Sequence, residues 1–234
     1  MKRISIGGTE DGDTEGPFFS IVLPTFNRAH LIEDAIRSVL GQTFQDWELL
    51  IVDDGSRDNT FGVIRPLVLS DSRIRYHFAT NRGLAMARNL GLAMSQGEYI
   101  TFIDSDDEYL PSHLEVRARY LHDYPEVELL HGGVEIAGPD MVADKFDPTR
   151  IIPLSECTIG GTFVIRQDLA ARLHGFRAIE YGDDNDFFVR AENIGAVIHK
   201  IDAPTYHYNR LEPDSLCAIV EREGIEGIRT FRGL

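Results

Sequence analysis

The strongest constraint on this chain is a rhythm. Between residues 18 and 125, short apolar runs alternate four times with segments whose apolar residues recur every three to four positions. Residues 18–23 form a nearly unbroken apolar run closed by Pro24, as expected of a strand buried on both faces. Leu31, Ile32, Ala35, Ile36, Val39 and Leu40 then follow helical spacing, with Gly41 as the stop. The pattern predicts further strands over 47–52, 74–78 and 98–103, and helices over about 84–94 and 111–124. A helix after Asp58 or Asn59 is expected to kink or end at Pro66. Four strand–helix units in succession imply an α/β fold, with a mostly parallel, Rossmann-like sheet flanked by helices. In such sheets ligands sit beyond the carboxyl ends of the strands.

Two carboxylate-rich turns fall at those ends. Asp53-Asp54-Gly55-Ser56 follows the second strand, and Asp104-Ser105-Asp106-Asp107 follows the fourth. Carboxylate pairs suit hard divalent cations, and magnesium commonly shares its remaining sites with substrate phosphates. The competing reading of each turn is solvated or capped chain. Asp53 and Asp54 could accept hydrogen bonds from a ribose or base. Asp183-Asp184 could hold a general base whose proton affinity its neighbour raises, and helix capping competes with that role. His207, between two tyrosines, is either a packed residue or a metal or phosphate contact. Arg82 and Arg88 flank the start of the third helix. Arginine suits phosphate and planar groups, and a salt bridge is the alternative. No G-x-G-x-x-G and no P-loop pattern occurs.

The second half is less regular. Strands are expected over 127–136, 160–165 and 196–201, and helices over 168–173, from the acidic knot to Gly195, and over 216–223, with little pattern after that. The stretch 138–158 reads as a functional loop or lid. Residues 1–17, with Glu10, Asp11, Asp13 and Glu15, read as a flexible leader, and 216–234 as a C-terminal tail.

The net charge of −15, from 23 basic and 38 acidic residues, argues against nucleic acid and against a basic membrane anchor. Such a surface also implies that a cation would bridge protein and any anionic ligand. No run reaches the roughly 18 apolar residues of a membrane span, and no secretion signal is legible. Cys157 and Cys217 show no metal-ligand spacing, and reduced thiols in a cytoplasmic protein are expected.

Several motifs in order resemble the family 2 glycosyltransferases: Pro24-Thr25-Phe26-Asn27-Arg28, Ser38 to Phe44, Trp47 to Thr60, Asn81-Arg82-Gly83 with Ala87-Arg88-Asn89, and Gly97 to Asp107. The match is dense to about Leu114 and thinner to Ser215. The resemblance implies a GT-A fold over 18–215, with a nucleotide-binding half (18–125) and an acceptor half (126–215). It also implies inverting transfer from a nucleotide-diphosphate sugar, with a UDP-sugar as the expected donor and Mn2+ or Mg2+ as cofactor. The acceptor is open: a glycan, a lipid-linked or a small molecule. Carried onto this chain, Pro24, Thr25, Asn27, Arg28, Asp53, Asp54, Arg82, Arg88, Asp104 and Ser105 would bind the nucleotide. Asp106 would be the main metal ligand, with His207 as a second candidate. Asp184 would be the catalytic base, and Asp183 would face the acceptor where the family usually shows Glu.

Rival readings are a sugar-1-phosphate nucleotidyltransferase, which lacks its glycine-rich loop here, and a catalytically silent nucleotide binder. An aspartate phosphatase is weaker, because no Gly-Thr follows the Asp-Ser-Asp. A cytoplasmic location is expected, with membrane-peripheral placement left open.

Overall fold

The computed structural model describes residues 16–144 and 150–232. The acidic leader expected at the N-terminus lies almost wholly outside the described residues. In chain order the elements are β1 (Phe19–Thr25), α1 (Ile32–Leu40), β2 (Trp47–Asp53), α2 (Thr60–Ser70), β3 (Ile74–Phe78), α3 (Leu84–Met94), β4 (Tyr99–Phe102), β5 (Glu108–Tyr109) and α4 (His113–Asp123). There follow β6 (Leu129–Ala137), β7 (Met141–Ala143), β8 (Ile151–Pro153), β9 (Val164–Arg166), α5 (Gln167–Arg172), α6 (Asp183–Asn193), β10 (Ile198–Asn209), α7 (Leu216–Glu223) and α8 (Ile225–Arg232).

One eight-stranded sheet runs β3-β2-β1-β4-β9-β6-β10-β5. All seven residues of β1 and all seven of β2 are buried, as parallel strands covered on both faces must be. β1 pairs in parallel with β2 on one side and with β4 on the other. The chain therefore winds outward through β2 and β3, then returns to cross β1. That reversal creates a crevice between the carboxyl ends of β1 and β4, where ligands bind in open α/β sheets.

Two cores sit on the two faces of the sheet. One joins Ile32, Ile36 and Val39 of α1 to Ile21, Leu23 and Ile51. The other joins Ala87 of α3 and Phe187 of α6 to Val22, Leu50 and Phe102. α3 lies very close to the sheet, since a Cβ at Gly91 would stand 2.3 Å from Val22 Cγ1. Only glycine admits that approach.

Several elements depart from expectation, each for a tertiary reason. α2 runs through Pro66 to Ser70, because Ile64 and Leu67 are buried on either side of the proline and hold the helix to the core. β9 starts at Val164 rather than at residue 160, and Gly160–Thr162 forms a short 3₁₀ turn. β9 runs antiparallel between β4 and β6, joining the two halves of the sheet. β10 continues past residue 201 to Asn209. Its register shifts between Ile201 and Tyr206, and Pro204 falls in that irregularity, where no ladder bond is demanded of it. The stretch 138–158 contains an antiparallel pair, β7 with β8. After residue 223, where little pattern is legible, stands α8.

A candidate active site at the sheet's switch point

A cavity of ≈ 390 Å³ opens at the crevice between β1 and β4. Pro24 and Thr25 form its floor at the end of β1. The Asp54 backbone N–H donates to the Thr25 carbonyl (2.8 Å), which places Asp54 beside them. The Asp54 carboxylate accepts from the backbone N–H groups of Arg82 (2.8 Å) and Gly83 (2.7 Å). Burial raises its pKa, while those two N–H bonds and the charge of Arg232 pull it back.

Asp104, Ser105 and Asp106 line the cavity from the turn after β4. Burial, reinforced by the negative charge of Asp104, pushes the Asp106 carboxyl up to about 6. Two neighbouring carboxylates that repel each other in this way are a setting that a divalent cation relieves. Among the described residues no cluster of three His, Cys, Asp or Glu side chains is arranged to hold a metal. A cation here would thus rest on Asp104 and Asp106 and draw its other ligands from water and phosphate, a donor set that suits magnesium or manganese.

A further part of the wall comes from α6. Asp184 lines the cavity and accepts from the backbone N–H groups of Gly160 (3.0 Å) and Asn185 (2.7 Å). Its pKa is raised by burial and by the charge of Asp183, against the pull of Arg88. Arg88, 3% exposed, reaches from α3 to Asp183 (3.1 Å) and Asp104 (3.2 Å). Among the described residues, its Nε and the Thr25 hydroxyl are both buried without a hydrogen-bond partner. Both belong to residues that line the cavity, and buried polar atoms of this kind are ordinarily satisfied. Arg28, 7% exposed, also lines the wall and donates to the Asp214 carbonyl (2.6 Å).

Four of the predicted residues stand outside the lining. Asp53 accepts from the Ser56 backbone N–H (2.7 Å) and the Tyr76 hydroxyl (2.8 Å), so its carboxylate builds the turn. Asn27 has a φ of 52° and ties the loop to Ser56 (2.8 Å) and Arg57 (2.7 Å). The Arg82 side chain is exposed. His207 stands opposite Glu108 in the β10–β5 ladder. Strand alternation turns Tyr206 and Tyr208 to the other face, and Tyr208 is the one that lines the cavity.

Other residues of the site carry little local signal. Asp107, 1% exposed, accepts from the Tyr206 hydroxyl (2.6 Å) and the Asn209 backbone N–H (2.8 Å), clamping β10 to the turn that carries Asp106. Val142, Ile152 and Leu154 form an apolar wall. Cys217 lines the cavity and receives the Tyr181 hydroxyl at 3.7 Å. Phe231 and Arg232 of α8 line it as well. The spacing of Ile225, Ile228 and Phe231 is the one trace of that helix in the sequence.

Residues 20–134 match the family model described as Glycosyl transferase family 2. A relative in Escherichia coli is 37% identical over 153 residues, covering 62% of this chain and 58% of the relative. It is named UDP-Glc:alpha-D-GlcNAc-diphosphoundecaprenol beta-1,3-glucosyltransferase WfgD. The chain spans about half the length of such curated relatives. Among solved structures, S. aureus TarS 1–349 in complex with UDP-GlcNAc superposes with a TM-score of 0.71 at 21% identity, covering 91% of this chain and 66% of that one. The mannosyltransferase PcManGT from Pyrobaculum calidifontis, in complex with GDP-Man and Mn2+, gives 0.67 at 22% identity over 86% of this chain and 59% of that one. These two likenesses show that the fold is GT-A.

Proposed function

The chain belongs to glycosyl transferase family 2 through residues 20–134, and on that premise we propose that it moves a sugar, with inversion, from a UDP-sugar to a hydroxyl acceptor. The observation that carries this reading is the shared cavity. Asp54, the Asp104–Asp106 turn and Asp184 come from three separate stretches of chain and all line it. Residues 18–125 are read as the nucleotide half, and 126–215 as the half that meets the acceptor.

The division of labour we propose rests on where these residues line the cavity. Asp54 and Thr25 face the nucleoside at the ends of β2 and β1. Asp104 and Asp106 would hold Mn2+ or Mg2+, which when bound offsets the negative charge of the departing diphosphate. Asp184, in the first turn of α6 and lining the same cavity, takes the proton of the acceptor hydroxyl. Its raised pKa brings it nearer to the acceptor's working range than an ordinary aspartate. Attack from Asp184's side, opposite the diphosphate, inverts the anomeric carbon. Arg88 positions both carboxylate groups and keeps Asp183 paired.

The apolar wall of Val142, Ile152 and Leu154 faces the same opening and suits an acceptor with apolar bulk. A lipid-linked acceptor fits that wall, and the name of WfgD supports it. No helix among the described residues is long and apolar enough to cross a membrane. Action at a cytoplasmic membrane surface is the placement proposed.

A panel of nucleotide sugars, assayed for release of nucleoside diphosphate with Mn2+ present, tests the proposal. UDP release from one UDP-sugar is the expected result. Binding without release from any donor would make the chain a silent binder.

A further inference from the structure

The nucleoside end of the cavity is completed by a helix that lies beyond the recognised motifs. α8 places Ile228 in a small core with Ile219 and Val220 of α7, against Tyr181. That packing fixes where its last turn falls. Phe231 meets Phe26 edge-on at 5.9 Å, and the Arg28 guanidinium rests over the Phe231 ring at 5.2 Å. The next residue is Arg232, whose carbonyl accepts from Asn81 Nδ2 (3.5 Å).

The Arg232 guanidinium is pressed against Gly83. A Cβ there would stand 2.6 Å from Arg232 Nη1, and the Gly83 φ of +90° also favours glycine. Gly83 is one of the two residues whose N–H groups hold the Asp54 carboxylate. The guanidinium thus lies beside Asp54 on the cavity wall. Its charge is felt there, opposing the rise that burial gives the Asp54 pKa. Among the described residues, Arg232 bonds through its backbone carbonyl and its guanidinium is in no ion pair. A planar guanidinium fork set beside a carboxylate with spare lone pairs is equipped for a ligand.

We infer that Arg232 is a specificity-determining residue that reads the donor's nucleobase together with Asp54: Asp54 accepts the ring N–H of uracil and Arg232 donates to the adjacent ring carbonyl. The inference rests on the proposed function and adds the residue that selects the base. Uracil offers an N–H flanked by carbonyls, which matches an acceptor and a donor side by side. Cytosine presents a bare ring nitrogen to Asp54 and an amino group to Arg232, so both contacts become repulsive or empty. The phosphates belong at the other end. A cation on the Asp104–Asp106 turn would offset their charge there, whereas a diphosphate beside Asp54 would meet a carboxylate.

The test is calorimetry on the full chain with Mn2+ present, titrating UDP, CDP and inorganic pyrophosphate into wild type, R232Q and R232K. Wild type is expected to prefer UDP over CDP. R232Q should lose about ten-fold in UDP affinity, narrow the UDP–CDP gap and bind pyrophosphate as wild type does. R232K should fall between them, because it restores the charge without the fork. Unchanged or tighter UDP binding by R232Q overturns the inference, and tighter binding would make Arg232 a plug. Equal losses for UDP and pyrophosphate also overturn it, since they signal a structural role. Wild-type protein that binds no nucleotide removes the proposed function itself, so the two failures are told apart.

Discussion

Arg88 and Asp183 form a 3.1 Å ion pair whose side chains are 4% and 9% exposed. The second arm of the same guanidinium reaches Asp104 at 3.2 Å. One buried cation therefore joins the turn after β4, which would hold the metal, to the first turn of α6, which carries the proposed base. Among the described residues, neither carboxylate has another ion-pair partner.

Replacing Arg88 by methionine should destabilise the protein by about 3–5 kcal/mol, the usual cost of leaving buried charge unpaired. Urea denaturation measures it. Added Mn2+ should recover part of the loss, because a cation at Asp104 and Asp106 replaces some of the missing charge. A loss below about 1 kcal/mol would show that water already serves these carboxylates.

Stability should fall on mild acidification. The His131 pKa is pushed down to about 4, first by burial and then by the charge of Lys200. The unfolded chain takes up that proton near pH 6.5. The folded state is thus favoured above 6.5 and loses this contribution as pH falls toward 4. H131Q removes the group. Its stability relative to wild type should improve by up to about 1.4 kcal/mol per pH unit across that window. Parallel stability curves for the two proteins would exclude the assignment.

Asp184→Asn should keep UDP affinity within about two-fold and lower turnover by roughly 10²–10⁴, the range for loss of a general base. Calorimetry paired with a donor-turnover assay reads both. Unchanged turnover would remove Asp184 from the mechanism.

How much of this was legible in sequence follows the range of the interactions involved. β3 and α3 match their expected spans residue for residue, because apolar spacing within each segment decides them. The turns bearing Asp54 and Asp104–Asp106 were equally visible, since a carboxylate after an apolar strand is a local pattern. The clamp between Asp107 and Tyr206 spans 99 positions and has no local trace. Asp53 and Asp54 are adjacent and chemically alike, yet one builds a turn and the other faces the cavity. Ser56 and Tyr76 hold Asp53, while the loop carrying Arg82 and Gly83 holds Asp54, and those distant partners separate their roles. His207 shows the same limit, because strand alternation decides its face and the strand's true extent depends on pairing with β6. α8 is short, and its core comes from α7 and Tyr181 rather than from its own composition.

The central claim is that a divalent cation on the Asp104–Asp106 turn links this cavity to a nucleoside diphosphate. Titrating UDP by calorimetry into the wild-type chain, once with Mn2+ and once with EDTA, tests it most directly. The account predicts measurable binding with Mn2+ and affinity at least about ten-fold weaker with EDTA. Equal affinity under both conditions, or no binding under either, would contradict it.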